Sequence, residues 1–151
     1  MNAPLASPLT ISTIEDADVT EVIALRQRCG SARPWNDPAA DIARARNGDN
    51  STVLLGRDAA GSLVASVMAG HDGHRGWVYY VTVDPDHRFK GYGREIMTAA
   101  EDWLRAHGME KMQLMVRADN AQVHAFYQSL GYVPQERVTF AKWLDGRDPT
   151  P

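Results

Sequence analysis

The chain of 151 residues contains one cysteine, Cys29, so it forms no internal disulfide and no thiolate-cluster metal site. Two readings of Cys29 stay open from its flanks, Gln27-Arg28 and Gly30-Ser31: a reactive thiol in basic surroundings, or a small buried or half-buried residue in a reducing compartment. Nowhere do about 20 apolar residues run together, which excludes a helix that spans a membrane. The opening MNAPLASPLTIS lacks a basic start and an apolar run of signal-peptide length, so the chain is expected in the cytoplasm. Excess charge is missing as well. A formal net charge of -3 sets up no overall field to recruit nucleic acid, and any basic residue must act locally. No linker, repeat or low-complexity block interrupts the chain, so a single domain over 1–151 is expected, with an ordered core from about 8 to 144 and frayed ends.

Hydrophobic residues are there in ordinary amount, 44%, and their spacing sets the elements. Residues 9–14 alternate like a strand. Asp16 or Asp18 then caps a helix that turns Val19, Val22, Ile23 and Leu25 to a core, ended by Gly30 and Ser31. Residues 33–38, RPWNDP, hold two prolines and read as irregular, with a short helix over 41–46 after them. Residues 52–55 and 63–69 form a hairpin about the turn 58–61, and 71–75 make a second turn. The next strand, WVYYVTV at 77–83, is apolar at nearly every position and is expected to be covered on both faces. A helix from 93 to 107 follows, with Ile96, Ala100, Trp103 and Leu104 on one face and Gly108 at its left-handed cap. A strand at 112–116, a helix at 120–130 and a last strand at 138–143 complete the order. The unit from 77 to 116 should place its two strands in parallel.

The segment RFKGYG, residues 88–93, lies between a strand and a helix N-terminus. Backbone N–H groups there lack helical partners, and the helix dipole adds partial positive charge. Gly91 and Gly93 let an anion approach the backbone, while Arg88, Lys90 and Arg94 add full charges. These are the makings of a phosphate cradle. Alone the string is weak evidence, because R-x-x-G-x-G arises by chance in roughly one chain in thirty of this length. The bland alternative is a flexible basic turn. Context favours the cradle: a buried strand ends before the string, an amphipathic helix begins after it, and Asn120 and Phe126-Tyr127 follow one strand later.

With those residues the chain resembles the GNAT N-acetyltransferase superfamily. Residues 83–93 are similar to its motif A, with the core [Q/R]-x-x-G-x-[G/A], and NAQVHAFYQSLGY at 120–132 is similar to its motif B. RPWNDP and GHDGHR, at 33–38 and 70–75, further resemble the bacterial YpeA-type acetyltransferases. The resemblance implies an α/β fold with a mixed central sheet of about six to seven strands, one splayed parallel pair and about four flanking helices. It implies acetyl-CoA as co-substrate, an amine as acceptor and no metal. A homodimer is compatible with the fold, and neither a nucleic-acid nor a membrane partner is expected.

Residue by residue, the resemblance implies that the pantetheine arm of acetyl-CoA fills the gap between the parallel strands. The Val83 backbone would bind that arm, and the Val81 N–H would face the thioester carbonyl as an oxyanion donor. Arg88, Phe89, Lys90, Gly91, Tyr92, Gly93 and Arg94 would take the pyrophosphate. Asn120 would contact the arm or hold its loop, the alternative being a helix N-cap. Tyr127 would protonate the leaving thiolate, the alternative being a continuation of the apolar stripe of Val123 and Leu130; Tyr132 reads as packing. The base that deprotonates the amine stays unassigned. Histone acetyltransferases of the superfamily carry a glutamate where this chain has Trp77, and ribosomal-protein N-terminal acetyltransferases carry one where it has Met115, in L-M-V-R. Candidates are Asp72, His74, Tyr79 and Asp37. For the acceptor, Arg33 is a candidate partner of a carboxylate and Trp35 an apolar or cation-binding wall, against a proline-stiffened loop with a tucked tryptophan. The expected reaction is acetylation of a primary amine on a small molecule or amino acid. Acetylation of a protein N-terminus or lysine is the alternative, and a non-catalytic acyl-CoA sensor the third.

Overall fold

A computed structural model describes residues 8–150, which fall into two compact units, one ending at Met115 and one beginning at Val116. The first unit holds five strands and three helices. Strand β1 (Thr10–Thr13) leads through a 3₁₀ turn at Asp16–Asp18 into α1 (Val19–Arg28). Glu15 and Asp18 cap that turn reciprocally, each side chain taking the other's backbone N–H. Helix α2 (Pro38–Asn47) starts three residues earlier than the spacing predicts. Pro38 occupies the first turn, where a missing N–H loses no hydrogen bond, and the Asp37 carboxylate accepts from Ala40 N–H at 3.1 Å.

Strands β2 (Ser51–Arg57) and β3 (Leu63–His71) form the expected hairpin, and β4 (Gly76–Val83) returns against β3 after the turn at 72–75. Helix α3 (Tyr92–Ala106) then crosses to β5 (Met112–Gln113). The sheet runs β1-β2-β3-β4-β5, antiparallel throughout except for the parallel β4–β5 pair. That mixed sheet and its helices match the expected α/β class, although it counts five strands rather than six or seven.

Helices cover both faces, which is why β2 and β3 bury nearly every residue instead of every second one. On one face Val22 and Leu25 of α1 and Ile42 and Ala45 of α2 pack with Ile14, Val53, Leu55 and Leu63. On the other, α3 lies across β2, β3 and β4 and buries Ile96, Met97, Ala100 and Leu104. The approach of α3 to β4 is close: a Cβ on Gly76 would stand 2.7 Å from Leu104 Cδ1. Gly108, at φ +79°, ends α3 as predicted, and Met109 N–H returns to Leu104 C=O at 3.0 Å.

The second unit contains α4 (Ala121–Ser129) and, among the described residues, no strand. This corrects the expectation for 138–143. Val138 and Phe140 alternate as a strand would, yet stand 81% and 93% exposed. Alternation supplies a face, and a strand also needs a ladder partner. The strand expected over 112–116 is likewise cut to two residues, because pairing ends after Gly76↔Met112 and Trp77↔Gln113.

Candidate active site

Past its short ladder with β5, strand β4 carries a bulge. Pairing with β3 runs from His71↔Gly76 to Met68↔Tyr79, then shifts before Ser66↔Thr82, so Tyr80 and Val81 together face Val67. Such a bulge bends a strand and increases its twist. Tyr80 carries the bend at φ 52°, a left-handed conformation that few non-glycine residues adopt. Beyond Trp77, β4 has no described ladder partner on its β5 edge. Val81 and Val83, both half-buried, lie on this stretch.

From Val83 the chain passes through Asp84 and a 3₁₀ turn at Pro85–His87 into the basic loop. Asp84 is tied from several sides. Its carboxylate accepts from Asp86 N–H at 2.9 Å and from the Arg28 guanidinium at 2.8 Å, and the Asp86 amide foremost, with Arg28, holds it below the usual carboxylate range. His87 stands 3.7 Å from both Asp84 and Asp58. Cys29, half-buried at the end of α1, donates its thiol to Val83 C=O at 3.2 Å, and burial pushes that thiol up. Of the two readings of Cys29, the structure shows the half-buried one.

The basic loop is open to solvent. Arg88, Lys90 and Arg94 are exposed, and Phe89 is 99% exposed at φ 64°. Gly91, at φ +83°, is the N-cap of α3, and no side chain caps that end. The first helical bond runs from Glu95 N–H to Gly91 C=O at 3.1 Å, so the amides of Tyr92, Gly93 and Arg94 have no acceptor within the helix. No atom lies within 4 Å of where a Gly91 Cβ would stand. An anion approaching there meets uncapped amides and three cations. Tyr92, by contrast, is buried and offers its backbone only.

In the second unit, Asn120 is the N-cap of α4 and accepts from Val123 N–H at 3.3 Å. Tyr127, seven residues on, lies on the same helical face; its ring meets Phe126 and Tyr132 edge-on, at 5.0 and 5.9 Å. Burial pushes the Tyr127 phenol up to about 12.

The acceptor candidates are more dispersed. Arg33 folds back on its own loop and donates to Gly30 C=O at 2.7 Å and Ala32 C=O at 2.9 Å. Trp35 is half-buried, and Asp37 is occupied as the cap of α2. Asp72 is a turn residue: it accepts from His74 and Arg75 N–H at 2.9 and 2.8 Å and from Trp77 Nε1–H at 3.3 Å, and the turn amides hold it below the usual carboxylate range. His74 is exposed. Tyr79, 43% exposed, has its ring stacked with Trp77 at 6.4 Å. An open groove of ≈ 640 Å³ between α3 and strands β1 and β2 includes Ile11, Leu54, Thr98 and Trp103, and shares only Arg94 with the predicted set.

Three residues that grip Tyr80 at the bulge escaped the sequence reading. Arg26 of α1 sets its guanidinium carbon 4.1 Å over the Tyr80 ring, Asn36 donates to Tyr80 Oη at 3.1 Å, and Tyr80 Oη donates to Asp41 at 3.1 Å. The only sequence signal was their number: charged and polar residues crowd both sides of RPWNDP.

The Acetyltransferase (GNAT) family profile matches residues 19–132. An acetyltransferase of Yersinia enterocolitica is 40% identical over 136 residues, 90% of this chain and 96% of its own length. One of Sodalis glossinidius is 42% identical over 130 residues, 86% and 91% of the two chains. Among solved structures, the aminoglycoside N-acetyltransferase AAC(6')-Iy in complex with CoA superposes with a TM-score of 0.79 at 18% identity, over 95% of this chain and 99% of that one. The ribosomal-protein-S18-alanine N-acetyltransferase of Escherichia coli gives 0.72 at 26%, over 92% and 87%. With motif residues, fold and relatives in agreement, the chain belongs to the GNAT acetyltransferase family and is an N-acetyltransferase.

Proposed function

We propose that the protein transfers acetyl from acetyl-CoA to a primary amine on a small molecule, by direct attack with both substrates bound. The observation that carries this is the continuous run from the bulged, unpaired edge of β4 to the uncapped N-terminus of α3. The cradle fits the group: the space above Gly91 is open, three amides lack helical acceptors, and Arg88, Lys90 and Arg94 supply charge to match a pyrophosphate. Gly93, Tyr92 and Phe89 contribute backbone. Val83 and Asn120 would hold the pantetheine arm. The bound co-substrate supplies an activated acetyl thioester. The Val81 N–H donates a hydrogen bond where negative charge develops on the carbonyl oxygen. Tyr127, with its phenol at about 12, stays protonated through the working range and donates toward the departing sulfur.

The acceptor is read as a small amine rather than an amino acid held by its carboxylate, since Arg33 donates to its own loop at Gly30 and Ala32. Trp77 and Tyr79 offer an apolar, cation-tolerant wall. Support also comes from the AAC(6')-Iy structure solved with the bisubstrate analogue CoA-S-monomethyl-acetylneamine. Acetylation of a protein N-terminus is the second reading, favoured by the Escherichia coli ribosomal-protein enzyme at 26% identity. Met115, in place of that group's glutamate, counts against it.

The test is thiol release from acetyl-CoA with a panel of amines, amino acids and N-terminal peptides, run beside a thermal-shift titration with CoA. Turnover is expected on small amines, with stabilisation by CoA that Gly91→Glu abolishes. Stabilisation without turnover on any acceptor would leave the sensor reading, and the absence of both stabilisation and turnover would sink the proposal.

A further inference from the structure

Arg26 is an expensive side chain to bury. It is 2% exposed, and its Nε, Nη1 and Nη2 atoms have no hydrogen-bond partner among the described residues. A buried charge without hydrogen bonds is strongly disfavoured, and an apolar side chain of similar size would fill the same space at less cost. A guanidinium cannot shed its proton to escape the penalty. What Arg26 does have is the face of Tyr80, 4.1 Å from its guanidinium carbon, in surroundings dry enough for a cation–π contact to count.

Tyr80 in turn is held at its other end. Its hydroxyl accepts from Asn36 Nδ2 at 3.1 Å and donates to Asp41 Oδ2 at 3.1 Å, so one ring is gripped on its face and at its tip. The Asp41 carboxylate also balances the Arg26 charge across the ring, and burial together with Asp41 keeps the Tyr80 proton in place. Three different segments supply the grip: α1, the loop before α2, and α2 itself. All converge on the one residue of β4 with a left-handed backbone, φ 52°, a conformation that persists only where its surroundings enforce it.

We propose that Arg26, with Asn36 and Asp41, is a positioning residue that holds Tyr80 left-handed and so fixes the bulge presenting the Val81 N–H to the thioester carbonyl. The proposal rests on the acetyl-transfer reading for the role of Val81, whereas the clamp itself does not. Arg26 touches no reacting atom. It acts through Tyr80, and the charge is kept because an apolar residue would fill the space without gripping the ring.

The test uses the full chain with Arg26→Met and Tyr80→Gly, singly and together, read by amide hydrogen exchange at 80–82, thiol-release kinetics and melting temperature. Arg26→Met should leave the melting temperature unchanged or raised while exchange at 80–82 quickens about tenfold. With it, kcat should fall about tenfold and KM for acetyl-CoA change little. Glycine adopts positive φ without help, so adding Arg26→Met to Tyr80→Gly should change nothing further. Unchanged exchange and kcat in Arg26→Met, or an equal loss in the Tyr80→Gly background, would overturn the clamp. Should Arg26→Met not fold, Tyr80→Phe removes only the hydroxyl grip and should quicken the same amides; no change would count equally against the proposal. A wild-type protein that turns over no acceptor sinks the acetyl-transfer reading alone, since the exchange arm still decides the clamp.

Discussion

At the scale of residues, Tyr127 is where sequence position and local physics meet. A phenol raised from 10.0 to about 12 by burial is fully protonated at neutral pH, as an acid must be before it gives a proton away. It is also a weaker acid than an ordinary phenol, so its service to a thiolate is a hydrogen bond that tightens as the sulfur gains charge. Tyr127→Phe should lower kcat by about 100-fold or more and leave KM for acetyl-CoA nearly unchanged. Wild-type rates on the best acceptor would return Tyr127 to packing. The same shift has a thermodynamic side. The folded chain holds this proton more tightly than the unfolded chain, so the stability present below pH 10 drains away as pH rises toward about 12. Melting temperatures measured from pH 9 to 12 should therefore fall less steeply in Tyr127→Phe than in the wild type. Parallel slopes would mean that burial does not shift this phenol.

At the scale of elements, one contact bears on how α3 sits against the sheet and one cap on how α2 begins. Gly76→Ala would push a methyl to 2.7 Å from Leu104 Cδ1, and a destabilisation of about 1–3 kcal/mol is expected by denaturant titration. Leu104→Val in the same chain should recover part of it; full additivity would put the strain elsewhere. Asp37 serves α2 through one oxygen that accepts from Ala40 N–H. Asp37→Asn keeps that acceptor and should leave both stability and turnover intact, while Asp37→Ala should lose about 1 kcal/mol. A collapse of kcat in Asp37→Asn alone would instead name Asp37 as the missing base. These elements also mark how far the residues could be read unaided. Helix ends were legible only in part: Gly108 stands where a left-handed cap is required and reads so from the sequence, whereas Asp37-Pro38 starts α2 three residues before the expected 41. The uncapped end of α3 was legible because its signal is local. The bulge was not, since nothing in WVYYVTV says which tyrosine turns left-handed until β3 imposes its register. Arg26 was hidden likewise among the arginines of RQRCG, because its meaning lies in a ring 54 positions away. The strand misread at 138–143 failed from the opposite side, with local alternation present and a partner lacking.

At the scale of the whole molecule, the apolar core is strongly one-sided along the chain. Every buried apolar residue from Leu9 onward lies at or before Leu104, and α4 contributes none. Both faces of the sheet are furnished within the first unit, one by α1 and α2 and the other by α3. Hydrophobic burial scales with area removed from water, so the driving force for folding is concentrated before Met115. The residues proposed for chemistry divide differently. The phosphate cradle, Val81 and Val83 belong to the first unit, whereas Asn120 and Tyr127 belong to the second. A chain ending at Met115 is therefore expected to keep its helical and strand content by far-UV circular dichroism and to melt cooperatively. It should still be stabilised by CoA, more weakly than the full chain, through the α3 N-terminus. It should release thiol at least about 100-fold more slowly, because Tyr127 is gone. Loss of cooperative melting on truncation would show that the second unit completes the core rather than only the chemistry. Retained turnover would remove Tyr127 from the mechanism and return the search for a proton donor to the first unit, where Tyr79, 43% exposed beside Trp77, would be the next phenol to replace.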